Sequence, residues 1–182
     1  MRITGGNYKN RKLSTPEGTD VRPTSDRMRQ SLFNMLHHAK WSHDFSFENA
    51  YVLDLFCGSG ALGLEALSHG SAHCTFIDTD TSPIKQNASF IDSEHYAIQK
   101  SNATAVRLND AFDLIFMDPP YRKNLITPAL ENLRKHNALK DGALIIIESE
   151  KEFKSDFDGF ETCDHRPQGQ SALHILRYNS AV

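Results

Sequence analysis

Apolar and polar positions divide most of the chain into segments of two kinds. Continuous apolar runs are typical of strands buried on both faces, and they occur at 51–56, 73–78, 112–117 and 143–148. Helices are predicted between and after these runs, at 61–68, 82–91 and 125–139, with a brief helix after residue 103. A shorter strand is predicted at 96–99, and the last two at 160–163 and 172–178.

This order of elements predicts an α/β fold. Strands that alternate with helices form a parallel, doubly wound sheet with right-handed crossovers. The final two strands are expected to form an antiparallel hairpin at the edge of that sheet. We therefore predict a Rossmann-like domain with a mostly parallel, seven-stranded sheet over residues 41–182.

Residues 1–40 are predicted to form a small β-hairpin and helix extension. Two short strands are expected around Gly5-Gly6-Asn7, followed by a turn-rich linker at 14–23. A helix should then begin with Thr24 or Ser25 as its N-cap. Its apolar face carries Met28, Leu32, Met35, Leu36 and Ala39, with Phe33 beside them.

Composition argues against secretion and membrane insertion for a chain of 182 residues that is 39% hydrophobic and 24% charged. No apolar stretch approaches the roughly 18 residues of a membrane span, and the N-terminus has no apolar signal core. The three cysteines are odd in number and far apart, which is typical of reduced thiols in a cytoplasm. The nine histidines form no ligand motif, so we predict no metal, and a monomer is the simplest expectation.

Charge is distributed unevenly along the chain. Residues 1–40 hold eight Lys or Arg and three Asp or Glu, whereas the remainder holds twelve and twenty. A basic arm on an acidic body indicates contact with a polyanion, although short surface segments also acquire charge by chance. The basic residues expected to contact a nucleic acid are Arg2, Lys9, Arg11, Lys12, Arg22, Arg27 and Arg29, the last two because they lie off the apolar face of the helix.

The first apolar run leads directly into a glycine turn. Gly58, Gly60 and Gly63 follow the strand and precede a helix, which is the opening of a nucleotide-binding βαβ unit. Glycines allow a sharp turn and a close approach of the ligand. Asp54 near the end of the strand would repel a pyrophosphate and attract a cation, which favours S-adenosylmethionine over a dinucleotide. We expect Asp54, Phe56, Gly58, Ser59 and Gly60 to bind this cofactor.

Further cofactor contacts are predicted at the ends of the next two strands. Asp78 ends the second strand 20 residues after Gly58, where a carboxylate can bind the two ribose hydroxyls. Asp80 is a competing candidate that could instead cap the following helix. Asn102, with Ala103, lies where a loop could hydrogen-bond an adenine edge, and an N-cap role for Asn102 is equally compatible with the sequence.

The fourth strand runs into Asp118-Pro119-Pro120-Tyr121, predicted to be catalytic. The two prolines have no amide hydrogens, so Asp118 and the Pro119 carbonyl act only as acceptors and can hold an amino group. Accepting its hydrogens localises the nitrogen lone pair for attack on a sulfonium methyl. Tyr121 provides a face for stacking a base, worth roughly 1–3 kcal/mol. The structural alternative is a Pro-Pro turn with a surface aromatic.

These residues resemble a known family. Asp118-Pro119-Pro120-Tyr121 resembles the (D/N)PP(Y/F) signature of amino-group methyltransferases that use S-adenosylmethionine. The segments 52–68 and 22–34, together with Ile3-Thr4-Gly5-Gly6, are similar to the bacterial small-subunit rRNA guanine-N2 methyltransferases of the RsmD type. The resemblance covers essentially the whole chain and implies a class I S-adenosylmethionine-dependent fold.

The resemblance implies methylation of the exocyclic amino group of one guanine in 16S rRNA, within the small ribosomal subunit or an assembly intermediate. It also implies that the N-terminal hairpin and the helix after it contact RNA. Two other functions remain open at this point. A DNA adenine methyltransferase would share the Asp-Pro-Pro-Tyr motif, and a noncatalytic RNA-binding assembly factor would keep the basic arm without needing an intact site.

Overall fold

The computed structural model describes residues 1–15, 26–153 and 157–180. Four α-helices lie within these residues: α1 (Asp26–His38), α2 (Ala61–Ser68), α3 (Ser82–Asn87) and α4 (Ile126–Lys135). The strands within the same residues are β1 (Tyr51–Leu55), β2 (His73–Asp78), β3 (Tyr96–Lys100), β4 (Phe112–Met117), β5 (Leu139–Glu150), β6 (Phe160–Gln168) and β7 (Ser171–Tyr178). No helix among the described residues is long and apolar enough to cross a membrane.

The seven strands form one sheet in the order β3-β2-β1-β4-β5-β7-β6. The neighbours from β3 to β5 pair in parallel, whereas β7 pairs antiparallel with both β5 and β6. The predicted fold class, a mostly parallel sheet with an antiparallel C-terminal hairpin, is confirmed. Strand order reverses between β1 and β4, so the ligand crevice of such a sheet lies at their carboxyl ends.

Helices cover both faces of the sheet. Successive residues of its central strands point to opposite sides, so each strand contacts both helix layers. Val52 of β1 packs in one core cluster with residues of α1, α2 and α3, such as Phe33 and Leu64. Leu53 of β1 packs in the other cluster with residues of α4, such as Leu130. Burial on both faces explains why these strands are continuous apolar runs.

The N-terminal segment is held to the body by its backbone and by two apolar anchors. Its predicted hairpin is reduced to one antiparallel bridge between Arg2 and Lys12, with no extended strand on either side. Ile3 and Leu13 are buried in the α1–α3 core cluster. Because only Ile3 and Leu13 are buried beside this short bridge, the polar residues between them lie at the surface.

Helix α1 follows the predicted apolar pattern. Leu32, Phe33 and Leu36 are buried, and Met28 and Met35 are half-buried. The predicted N-caps, Thr24 and Ser25, lie outside the described residues, and so does the predicted RNA contact Arg22.

Several boundaries differ from the predictions. The brief helix expected after residue 103 is a turn, closed by Asn102. Helix α4 ends at Lys135 because Asn137 adopts a left-handed φ of 51° and the chain then enters β5. Strand β6 extends through exposed polar residues to Gln168, since an edge strand needs only backbone pairing with β7.

Candidate active site

The glycine turn, Asp78 and the Asp-Pro-Pro-Tyr loop all lie at one edge of the sheet. Parallel pairing aligns the carboxyl ends of β1, β2 and β4, with Leu55 opposite both Ile77 and Met117. The residues that follow each strand therefore surround one crevice. This agrees with the proximity of the three segments that a parallel strand order predicts.

The two glycines of the turn that have a positive φ, Gly58 and Gly60, have different surroundings. Gly58, with φ of 51°, has no atom within 4 Å of the position that a Cβ would occupy, so its backbone borders open space. Gly60, with φ of 75°, would place a Cβ 2.0 Å from Ile84 Cδ1. Gly58 thus allows a ligand to approach, whereas Gly60 allows the turn to pack against α3. Phe56 just before the turn also has a left-handed φ, of 60°, a strain often found at functional sites.

Asp78 is oriented by the turn that it faces. The Gly58 amide donates to its Oδ2 at 2.8 Å, and the Asp80 amide donates to its Oδ1 at 3.0 Å. Asp78 is half-buried at the end of β2. Asp80 accepts a hydrogen bond from the Ser82 amide at 3.0 Å, at the start of α3. Asp80 therefore holds the turn that precedes α3, whose N-cap is Thr81, and Asp78 keeps the position expected of a ribose ligand.

Asp54 is a buried carboxylate beneath the turn. Its Oδ2 accepts a hydrogen bond from the Gly63 amide at 2.9 Å, which connects β1 to the first turn of α2. The pKa of Asp54 is raised to about 7, because burial and, to a smaller extent, the charge of Asp78 outweigh the Gly63 hydrogen bond, which lowers it. A cation in the crevice would favour the ionised form. These features fit a positively charged cofactor better than an anionic one.

Asn102 and Ala103 follow β3 at the same edge. The Asn102 Oδ1 accepts from the amide and the hydroxyl of Thr104, both at 3.0 Å, so it caps a turn. Asn102 is nevertheless exposed, whereas Ala103 is buried in the α4 core cluster. Because its side chain is buried, Ala103 can contact a ligand only through its backbone.

The Asp-Pro-Pro-Tyr loop begins directly after β4. Asp118 is half-buried, Pro119 is buried, and the Tyr121 ring is 44% exposed. The pKa of Asp118 is raised to about 8, mainly by burial and also by the nearby carboxylates of Glu148 and Asp54. A small crevice of about 20 Å³ opens beside Asp118, with apolar walls from α1, α2 and β7: Met28, Leu32, Leu62 and Leu173.

Most of the predicted RNA contacts are at the surface. Lys9, Lys12 and Arg27 are exposed. Arg2 is also exposed and lies 3.5 Å from an Asp26 oxygen. The guanidinium of Arg11 lies 4.4 Å from the centre of the Phe90 ring, a cation–π contact that keeps it on the outside of the arm.

The expectation for Arg29 is wrong. Its side chain is completely buried, and it forms ion pairs with Glu65 at 3.0 Å and with Asp26 at 2.8 Å. A third hydrogen bond reaches the Arg2 carbonyl. Arg29 lies off the apolar stripe of α1 because it faces a buried carboxylate of α2, so its side chain does not reach a phosphate.

Two carboxylates of this region, Glu65 and Glu148, were not identified from the sequence. Glu65 is fully buried in α2, and nothing in the local pattern distinguishes it from a surface residue of an amphipathic helix. Glu148 lines the crevice beside Asp118. Its position at the end of a predicted strand next to β4 was a usable signal, because the ends of neighbouring parallel strands face the same ligand.

Comparison with known proteins agrees with this site. The model of the family called Conserved hypothetical protein 95 matches residues 1–177. Ribosomal RNA small subunit methyltransferase D of Escherichia coli K12 is 37% identical over 157 residues, covering 84% of this chain and 76% of that protein. The chain belongs to the ribosomal RNA small subunit methyltransferase D family. The resemblance inferred from residues 22–34, 52–68 and 118–121 is thereby confirmed.

Solved structures agree with the assignment to this family. The Escherichia coli protein yhhF superimposes with a TM-score of 0.83 at 33% identity, and the match covers 98% of both chains. N-methyltransferase NodS of Bradyrhizobium japonicum, solved with S-adenosyl-L-homocysteine, has a TM-score of 0.67 at 15% identity and covers 91% of this chain and 92% of its own. At this low identity, the similarity to NodS shows only the class I methyltransferase fold.

Proposed function

We propose that this member of the methyltransferase D family transfers the methyl group of S-adenosylmethionine to the exocyclic N2 of one guanine in 16S rRNA. The observation that carries the proposal is the placement of Asp118-Pro119-Pro120-Tyr121 beside the glycine turn, across the switch point of the sheet. The name of the Escherichia coli relative supports a ribosomal RNA substrate in the small subunit.

The cofactor-binding half is formed by β1, β2 and the loops after them. Gly58 leaves room for close approach of a ligand to the backbone. Asp78 is oriented to accept hydrogen bonds from ribose hydroxyls, and Asn102 remains exposed at the side where an adenine edge would lie. When bound, S-adenosylmethionine supplies an electrophilic methyl group on a positively charged sulfur. The carboxylates of Asp54 and Asp118, which lie close enough to affect each other's ionisation, would attract this charge.

The acceptor half is the loop after β4. Asp118 and the Pro119 carbonyl can each accept a hydrogen from an amino group, and no proline amide competes for them. This arrangement directs the nitrogen lone pair out of the plane of the base and toward the cofactor. The exposed Tyr121 ring offers a stacking surface, which offsets part of the few kcal/mol that base flipping costs.

Proton transfer completes the reaction. The nitrogen forms a bond to the methyl carbon, the carbon–sulfur bond breaks with its electrons remaining on sulfur, and the nitrogen must lose one proton. Asp118, whose pKa is raised to about 8 by burial and by neighbouring carboxylates, is suited to take that proton and release it to solvent. Cys57 is a poor alternative because burial raises the pKa of its thiol strongly.

Substrate RNA would be held by the arm and by α1. Lys9, Lys12 and Arg27 present exposed positive charges on the N-terminal segment. Residues 1–40 are then the RNA-contacting part of the protein, and residues 41–182 the methyltransferase domain. Phosphate contacts of this kind supply affinity and orientation, whereas the loop after β4 supplies the chemistry.

The Asp118→Ala variant tests the proposal. We expect turnover on small ribosomal subunits to be abolished, whereas binding of RNA remains near the wild-type level. The Asp110→Ala variant is the matched control, because Asp110 is exposed and precedes β4 at the opposite end of the strand. Normal turnover by the Asp118→Ala variant would refute the assignment of the acceptor site.

A further inference from the structure

Two carboxylates lie side by side where β4 and β5 end. Met117 of β4 is in register with Ile147 of β5, so the residues that follow, Asp118 and Glu148, occupy equivalent positions on neighbouring strands. Adjacent parallel strands are about 4.8 Å apart. The two side chains line the same crevice, and the charge of Glu148 contributes to the raised pKa of Asp118.

Glu148 also contacts the stacking residue. The Tyr121 hydroxyl donates to Glu148 Oε1 across 3.4 Å, a long hydrogen bond between exposed partners. A carboxylate on β5, a carboxylate after β4 and an aromatic ring thus border one opening. The rest of this crevice is apolar, with Leu32, Leu62 and Leu173 on its walls. A planar base placed over the mouth of this crevice meets polar groups only along one edge.

The acidic pair fits the hydrogen-bonding edge of guanine. Guanine carries two neighbouring donors, the N1 hydrogen and the N2 amino group, and carboxylates are acceptor-only groups when ionised. Adenine has a lone pair at N1, which would face the second carboxylate and leave it unpaired. A polar group that the bound base covers but leaves unpaired is costly, so a site of this kind disfavours the analogue that lacks the donor.

We propose that Glu148 accepts the N1 hydrogen of the target guanine while Asp118 holds the N2 amino group, so that Glu148 selects guanine over adenine. The inference rests on the proposed function and adds the residue that determines the base. Without a ligand, the two adjacent carboxylates repel each other whenever both are ionised. Two donors from one base edge relieve this repulsion, which makes binding of guanine more favourable than binding of a base with a single donor.

The test uses a base analogue that separates the two donors. 2-Aminopurine retains the exocyclic 2-amino group but has a lone pair at N1. The substrate is a small subunit reconstituted with 16S rRNA that carries guanine or 2-aminopurine, introduced by ligation at the nucleotide that the wild-type enzyme labels. Initial rates of methyl transfer give kcat/KM for each base with the wild-type protein and with the Glu148→Gln and Tyr121→Phe variants.

We expect the wild-type enzyme to prefer guanine by about tenfold or more, the value of a charge-assisted hydrogen bond. The Glu148→Gln variant should lose most of this preference, because the Gln amide can donate to N1 of 2-aminopurine. The Tyr121→Phe variant removes the hydroxyl that contacts Glu148 but keeps the ring, and it should retain the preference. This control distinguishes recognition of the base by Glu148 from an effect of the contact between Tyr121 and Glu148.

Two results would overturn the inference. Equal rates of the wild-type enzyme on both bases would refute it without any variant, and an unchanged preference in a Glu148→Gln variant that still binds S-adenosylmethionine would refute it independently. Failure of the wild-type enzyme to methylate guanine at all would instead refute the proposed function, so the two failures are distinguishable.

Discussion

The Nε of Arg29 donates to Oε2 of Glu65 across 3.0 Å, and both side chains are completely buried. Glu65 accepts further hydrogen bonds from the amides of Thr4 and Gly5, at 2.9 Å and 2.7 Å. One carboxylate of α2 therefore binds both α1 and the N-terminal segment. Burial alone would raise the pKa of Glu65, but the nearby His69 and the hydrogen bonds from Thr4 and Arg29 lower it, so the carboxylate stays charged.

The Arg29→Ala variant should be strongly destabilised. Removing one partner of a buried ion pair leaves the other charge uncompensated, which costs about 3–5 kcal/mol. Urea unfolding followed by circular dichroism measures the free energy of unfolding. The Arg27→Ala variant, which changes an exposed arginine of the same helix, is expected to stay within about 0.5 kcal/mol of the wild type. Equal stability of the two variants would contradict a structural role for Arg29.

Local patterns predicted some elements to the residue and missed this pair. The bounds of α2, β2 and β4 agree with the predictions, because each is a continuous apolar or glycine-bounded segment. Arg29 and Glu65 are 36 positions apart, and their pairing depends on how α1 packs on α2. The same limit applies to β6, whose polar residues beyond 163 are ordered by pairing with β7 rather than by their own pattern.

Substitutions in the glycine turn should distinguish Gly60, which packs against α3, from Gly58, which allows a ligand to approach. Alanine at either position costs about 1–2 kcal/mol for its left-handed backbone, but the Gly60→Ala variant also overlaps Ile84 Cδ1 at 2.0 Å. We expect Gly60→Ala to be the less stable variant in urea unfolding. The Gly58→Ala variant should fold but bind S-adenosylmethionine more weakly in calorimetry, since its methyl group enters the open space. Unimpaired binding by Gly58→Ala would remove this glycine from the cofactor site.

Stability of the ligand-free protein should depend on pH through Asp118. Its pKa rises from 3.8 to about 8 on folding, because burial and the charges of Glu148 and Asp54 disfavour ionisation. A raised pKa stabilises the fold fully below the unfolded value, and this stabilisation is lost as pH rises through the folded value. The Asp118→Asn variant lacks this titration.

Comparison of the two proteins by urea unfolding at several pH values isolates the contribution of Asp118. The difference in free energy of unfolding should shift in favour of Asp118→Asn as pH rises from about 4 to about 8, and then level off. A difference that stays constant across this range would show that Asp118 keeps an ordinary pKa. A raised pKa of Asp118 could then not assist proton transfer.

Single substitutions in the basic arm test whether the arm binds RNA. Removal of one lysine or arginine that neutralises a phosphate should flatten the plot of log binding constant against log salt concentration by about 0.7–0.9. We expect this for Lys9→Ala, Lys12→Ala and Arg27→Ala in filter-binding titrations. Lys135→Ala is the control, since Lys135 is exposed at the C-terminal end of α4, away from the arm. An arm variant with the slope of this control would show that the substituted residue does not bind a phosphate.

The most direct measurement is methyl transfer from radiolabelled S-adenosylmethionine, offered in parallel to undermethylated small subunits, naked 16S rRNA and DNA. Digestion and chromatography identify the labelled nucleoside. We predict label in N2-methylguanosine from the ribosomal substrate and none in DNA. Label in N6-methyladenine of DNA would contradict the substrate, and no label in any substrate, from a protein that binds the cofactor, would contradict the catalytic role of Asp118-Pro119-Pro120-Tyr121.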